Sequence, residues 1–121
     1  MSENEPKESI GRIEIAPGVL TTIAYHTTLG VEGVNKMAPI PADVSRLFRK
    51  AYREGGVLLH YEEDRLAFDI YVLMDPHVNV LETSRAVQTG VIEAIEKMVG
   101  ITVDAVNLHV EDVVYTMNQT A

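Results

Sequence analysis

The chain has 121 residues, 46% of them hydrophobic, with ten Lys and Arg against eighteen Asp and Glu, for a formal net charge of −8. That hydrophobic share excludes a disordered acidic tail, and the length suits one domain with a core of its own. The lack of cysteine excludes a disulfide framework, a thiolate nucleophile and any Cys-based zinc or iron–sulfur site.

Residues 1–10 are polar and aperiodic and read as a mobile tail. Arg12-Ile13-Glu14-Ile15 alternates polar and apolar, which predicts a short half-buried strand. Pro17 suits the first position of a helix, and Leu20, Ile23, Ala24 and Thr27 repeat at helical spacing up to Gly30. The polar side of this helix, at 17–29, is rich in hydroxyls: Thr21, Thr22, Tyr25 and Thr28. A short extended segment, Val31 to Val34, precedes Pro39 and Pro41. Val44, Leu47, Phe48, Ala51 and Tyr52 then predict a second helix over 42–54, stopped by Gly55-Gly56.

Two alternating strands follow, Val57–Tyr61 and Leu66–Leu73, joined by the acidic hairpin turn at 62–65. The longest helix spans 79–99, with Val80, Val87, Val91, Ala94, Ile95 and Met98 on its inner side and Gly100 as its stop. Gly90 within it predicts close approach to the first helix near Ala24, because mid-helix glycine costs about 1 kcal/mol against alanine. A last strand, Val103–Val110, points Val106, Leu108 and Val110 inward and Asn107 and His109 outward. The order β-α-β-α-β-β-α-β implies a single two-layer α/β domain over 11–115 and a C-terminal tail at 116–121. Its sheet is mixed, with the strands at 66–73 and 102–110 parallel across the last crossover.

Reaction chemistry finds little support in this chain. Its glycines form no phosphate-cradling loop, and Ser9, Ser45 and Ser84 lack the Gly-x-Ser-x-Gly context of a nucleophile elbow. His26, His60, His77 and His109 are dispersed rather than paired at zinc-site spacing. His60 and His109 can meet across neighbouring strands with Glu62 or Glu111 nearby, although outward histidines on a sheet are more often solvated or packed. Glu62-Glu63-Asp64 offers hard-ion ligands but reads more simply as a soluble hairpin tip. The expectation is no enzyme, no cofactor and no metal.

The positive charge is concentrated. Arg46, Arg49, Lys50 and Arg53 fall at i, i+3, i+4 and i+7, one face of the helix predicted at 42–54. That segment carries +2 against −10 for the rest of the chain. It reads either as an anion-recognition face or as the solvated side of an amphipathic helix. With Tyr52 as an aromatic anchor, these four residues are the candidate partner-binding set.

Gly11 to Val19 (GRIEIAPGV), Thr22-Ile23-Ala24 and Val31-Glu32-Gly33-Val34 together resemble the opening of the alkaline shock protein family of bacterial envelope stress proteins. Val87-Gln88-Thr89-Gly90-Val91, Met98 to Val103 and Val106-Asn107-Leu108-His109-Val110 resemble its closing helix, glycine stop and last strand. The chain departs from the family at Asp75-Pro76-His77, where members often carry Tyr-Gly, and in its basic middle segment. The resemblance implies a small cytoplasmic α/β domain without catalytic residues or cofactor. It further implies a scaffold or adaptor in cell-envelope homeostasis that works through protein–protein contacts, with a membrane-anchored partner or a homo-oligomer. The alternative is a small nucleic-acid-binding module using the basic helix, which the −8 charge and the scarcity of aromatics disfavour. No apolar run reaches the roughly 20 residues of a membrane span, and no signal peptide opens the sequence, so the expected location is cytoplasmic and, through a partner, close to the membrane.

Overall fold

A computed structural model describes residues 10–47, 51–62 and 65–114. Its elements are α1 (Pro17–Leu29), β1 (Val34–Met37), α2 (Ala42–Leu47), β2 (Tyr52–Glu54), β3 (Val57–Glu62), β4 (Arg65–Met74), α3 (Val80–Val99) and β5 (Val103–Val113). β4 is the axis of a mixed five-stranded sheet. One of its edges pairs with β5 in parallel along nearly its whole length. The other is shared end to end by two antiparallel partners: β3 opposite residues 65–70 and β1 opposite residues 72–74. β2 extends the sheet beyond β3.

The even-numbered side chains of β4 are almost wholly buried on one face, and α1 and α3 cover them. Leu20 and Ala24 from α1 and Val87, Val91 and Ile95 from α3 pack against Val57, Leu59, Phe68, Ile70 and Val72. Gly90 lets the two helices close up as its position predicts, although its neighbour is Thr27, one turn beyond Ala24: a Cβ on Gly90 would stand 3.3 Å from the Thr27 Cγ2. The opposite sheet face buries Leu58 and Tyr71 but leaves His60, Asp69 and His109 half-buried.

The two-layer α/β class and the parallel pairing of the last two strands are as the sequence predicts. Several local features differ. Residues 12–15 form no strand: they pair with none of the five strands, and Ile13 and Ile15 stay exposed. Of the helix predicted over 42–54, Ala42–Leu47 is helical and Tyr52–Glu54 is a strand. Gly55 and Gly56 both have positive φ, +57° and +85°, so they make a two-residue hairpin turn from β2 into β3 instead of stopping a helix. The strand placed near Val31–Val34 starts at Val34. Val80 and Met98, read as inward, are exposed at the two ends of α3. Of the tails assigned to residues 1–10 and 116–121, all but Ile10 lie outside the described residues.

Candidate functional site

Three adjacent strands place polar side chains in a diagonal row on the sheet face away from α1 and α3. Asp69 of β4 stands between His60 of β3 and His109 of β5, each one diagonal position away in the ladder. His60 Nε2 lies 2.8 Å from Asp69 Oδ2 and His109 Nε2 lies 2.7 Å from Oδ1. An ionised carboxylate only accepts, so both rings present Nε2–H to it, one to each oxygen. Tyr71 stacks on His109 with ring centroids 4.3 Å apart and planes within 10°. Burial, and then the negative charges of Asp69, Glu111 and Asp43, push the Tyr71 phenol above its ordinary pKa of 10.0.

The arrangement joins three strands through one carboxylate. A metal needs its ligands turned toward one point. Here both imidazoles spend Nε2 on the same acid, and no group of three His, Asp or Glu side chains among the described residues is arranged to hold a metal ion. The sequence points both histidines outward and lets them meet across neighbouring strands; the structure corrects the second point, since β4 lies between β3 and β5 and Asp69 is the bridge. The available signal was an outward acid at the middle of a strand whose inward side is wholly apolar.

The basic residues divide. Arg46 lies on α2 and Arg53 on β2, joined where Arg53 Nη2 donates to the Ser45 carbonyl at 3.1 Å. They do not share a helical face, because the helix does not continue to residue 53. Arg49 and Lys50 lie outside the described residues. Tyr52 is partly exposed, with its hydroxyl end lying against Gly18 of α1.

An apolar groove of about 450 Å³ opens where the start of α1 meets the end of α3, lined by Ile15, Val19, Ile23, Met98 and Val99 with Glu14 at its edge. Its lining is exposed for apolar side chains: Met98 is 70% exposed, Val19 47% and Ile15 40%. The segment before Pro17 makes one side of this groove, and the sequence reading missed it by assigning that segment to the sheet.

Over residues 5–115 the sequence matches the profile of the alkaline shock protein 23 family, described as having a cell envelope-related function. The chain belongs to that family. Among curated relatives, the uncharacterized protein Spy1535 of Streptococcus pyogenes serotype M6 is 38% identical over 108 residues, which is 88% of this chain and 82% of that protein. The uncharacterized protein YloU of Bacillus subtilis is 26% identical over 112 residues, covering 90% and 93% of the two chains. Among solved structures, the zinc form of a MamM CTD variant superposes with a TM-score of 0.49 at 12% identity, over 86% of this chain and 91% of that one. That superposition is too loose to extend anything from it.

Membership confirms the family that the opening and closing motifs resemble, and with it the cell envelope-related function. None of the helices among the described residues is long and apolar enough to cross a membrane.

Proposed function

We propose that this chain serves the cell envelope as a non-enzymatic adaptor, docking an amphipathic helix of a partner protein in the groove between the α1 and α3 ends. The observation that carries this reading is the exposure of Ile15, Val19 and Met98 around one apolar concavity, since contiguous exposed apolar surface marks interaction sites. A groove flanked by two helices suits apolar anchors spaced three and four residues apart on a third. The net charge of −8 favours a partner helix with basic flanks. A membrane-attached partner gives the most direct link between an envelope role and this fold. The basic corner at Arg46 and Arg53, with Arg49, Lys50 and Tyr52 in the sequence beside it, is a second contact in the same reading, directed at acidic groups of the partner.

The test is Met98→p-benzoylphenylalanine crosslinking in the native cell, with and without Val19→Ser and Ile15→Ser. The expected result is a discrete crosslink to a membrane-associated protein, lost in the double variant while its melting temperature holds. Charge reversal at the four basic positions should weaken the same crosslink. A crosslinking pattern indifferent to the groove substitutions refutes the docking site, and a crosslink to the chain itself assigns the groove to self-association.

A further inference from the structure

The hydroxyl-rich side of α1 takes no part in the docking groove, and it faces the β2–β3 hairpin across a separate cleft of about 290 Å³. Thr21, Thr22, Tyr25 and His26 line it from the helix, and Glu54 and Gly55 from the turn. The Thr21 hydroxyl, on a residue only 1% exposed, lies 3.0 Å from Glu54 Oε1 and 3.1 Å from the Gly18 carbonyl, so its single proton is shared between the two acceptors. A buried hydroxyl of α1 thus gives one carboxylate oxygen of the exposed Glu54 a partner at the cleft wall. The Tyr25 ring forms a wall that depends on the turn: a Cβ at Gly55 would stand 3.0 Å from Tyr25 Cε1, at a φ of +57° that already favours glycine. His26 stands edge-on to Tyr25, centroids 5.1 Å apart.

Charge and donor type narrow the ligand. Glu54 is the one carboxylate among the described lining residues, and no Lys or Arg among the described residues forms an ion pair with it. Strand alternation sends its neighbour Arg53 to the other face, toward the Ser45 carbonyl. The remaining lining groups offer hydroxyl oxygens that accept hydrogen bonds and an aromatic face that attracts cations. Thr21 lies against Oε1, and no hydrogen bond among the described residues reaches Oε2. A planar guanidinium wants both carboxylate oxygens, whereas an ammonium is a point charge with three rotatable donors.

We infer that this cleft binds a primary ammonium group on an aliphatic stem. Glu54 Oε2 supplies the charge, the Thr22 and Tyr25 hydroxyls accept the other N–H groups, and the Tyr25 ring covers the stem. The same chemistry is offered by a lysine side chain of a protein and by a free diamine. The inference stands apart from the adaptor reading, because it uses neither the apolar groove nor the basic corner.

The test is an amide-resolved NMR titration of the full chain with 1,4-diaminobutane, Nα-acetyl-lysine N-methylamide, Nα-acetyl-arginine N-methylamide and tetramethylammonium. Saturable shifts confined to residues 21–26 and 54–55 are expected with the two primary amines, and binding at least about tenfold weaker with the other two. Tighter binding of the lysine derivative assigns the site to a protein side chain, and tighter binding of the diamine to a free amine. Glu54→Gln should weaken both amines by about tenfold or more while leaving the rest of the spectrum in place, and Glu93→Gln, on the exposed side of α3, should leave them unchanged. Shifts spread over the acidic surface, equal binding of tetramethylammonium, or amine binding that survives Glu54→Gln would overturn the inference.

Discussion

At Gly56 the backbone adopts a φ of +85°, and a Cβ would come 2.6 Å from the Ala38 carbonyl oxygen. Gly100 has nearly the same φ, +81°, but open space where its Cβ would be. The two positions separate conformational strain from collision. Gly100→Ala should cost about 1–2 kcal/mol, the left-handed penalty alone, and Gly56→Ala clearly more, about 3 kcal/mol or above, because backbone has to move. Urea unfolding of the two variants checks the difference. Tyr71 gives a pH prediction. Its phenol holds its proton more tightly in the folded chain than in the unfolded one, first through burial and then through Asp69. This stabilisation is complete below about pH 10 and is lost as the pH rises through the higher folded value. Tyr71→Phe, which keeps the ring stacked on His109, should flatten the fall in stability above pH 10. Asp69→Asn should flatten it only in part. Denaturant midpoints measured from pH 8 to 11 decide this. From sequence, the outward direction of His60, Asp69, Tyr71 and His109 could be read from strand period alone. Their meeting could not, since it depends on β4 lying between β3 and β5.

The elements that the sequence predicts well are those whose signals agree with one another. α3 has its inner stripe at Val87, Val91 and Ile95, an Asn79 side chain accepting from the Glu82 amide at 3.0 Å, and Gly100 in the left-handed conformation at its end. Asn79→Ala should therefore cost about 1 kcal/mol in thermal or urea unfolding. Gly90→Leu should cost about 1–3 kcal/mol by wedging α3 away from Thr27, despite leucine's better helix propensity. A leucine accepted without loss at position 90 would mean that the helices are not in close contact there. The segment 42–54 was misread because its signals compete. Val44, Leu47, Phe48 and Ala51 keep helical period, while Gly55-Gly56 both ends helices and turns hairpins. The hairpin prevails because it pairs Tyr52 with Leu59 and Glu54 with Val57, which satisfies backbone groups and extends the sheet. That outcome also brings Glu54 to Thr21, so the α1 cleft was illegible until β2 was recognised as a strand.

For the molecule as a whole, charge works against compactness while the helix-covered core works for it. The chain carries −8, and two of its ion pairs, Arg12–Glu14 at 2.8 Å and Arg65–Asp104 at 2.7 Å, are solvent-exposed and contribute little. Long-range repulsion among the remaining acids is screened over about 10 Å at 0.1 M salt and over only about 3 Å at 1 M. Added salt should therefore relieve more repulsion than it removes attraction, raising the melting temperature by about 2–4 °C between 10 mM and 0.5 M sodium chloride. The basic corner sharpens the test. Arg46→Glu with Arg53→Glu changes the net charge from −8 to −12, since each reversal removes two positive units. If the average charge governs, the double variant melts lower at low salt and gains more on salt addition than the parent. If local fields govern, Arg46 and Arg53 relieve only their own neighbourhood, and the two salt responses run parallel. Circular-dichroism melts of both proteins across that salt range separate the cases. The same melts, repeated on the variant reversed at all four basic positions, tell whether it is sound enough for the partner-capture experiment, because a loss of crosslinking is interpretable only where the domain remains folded.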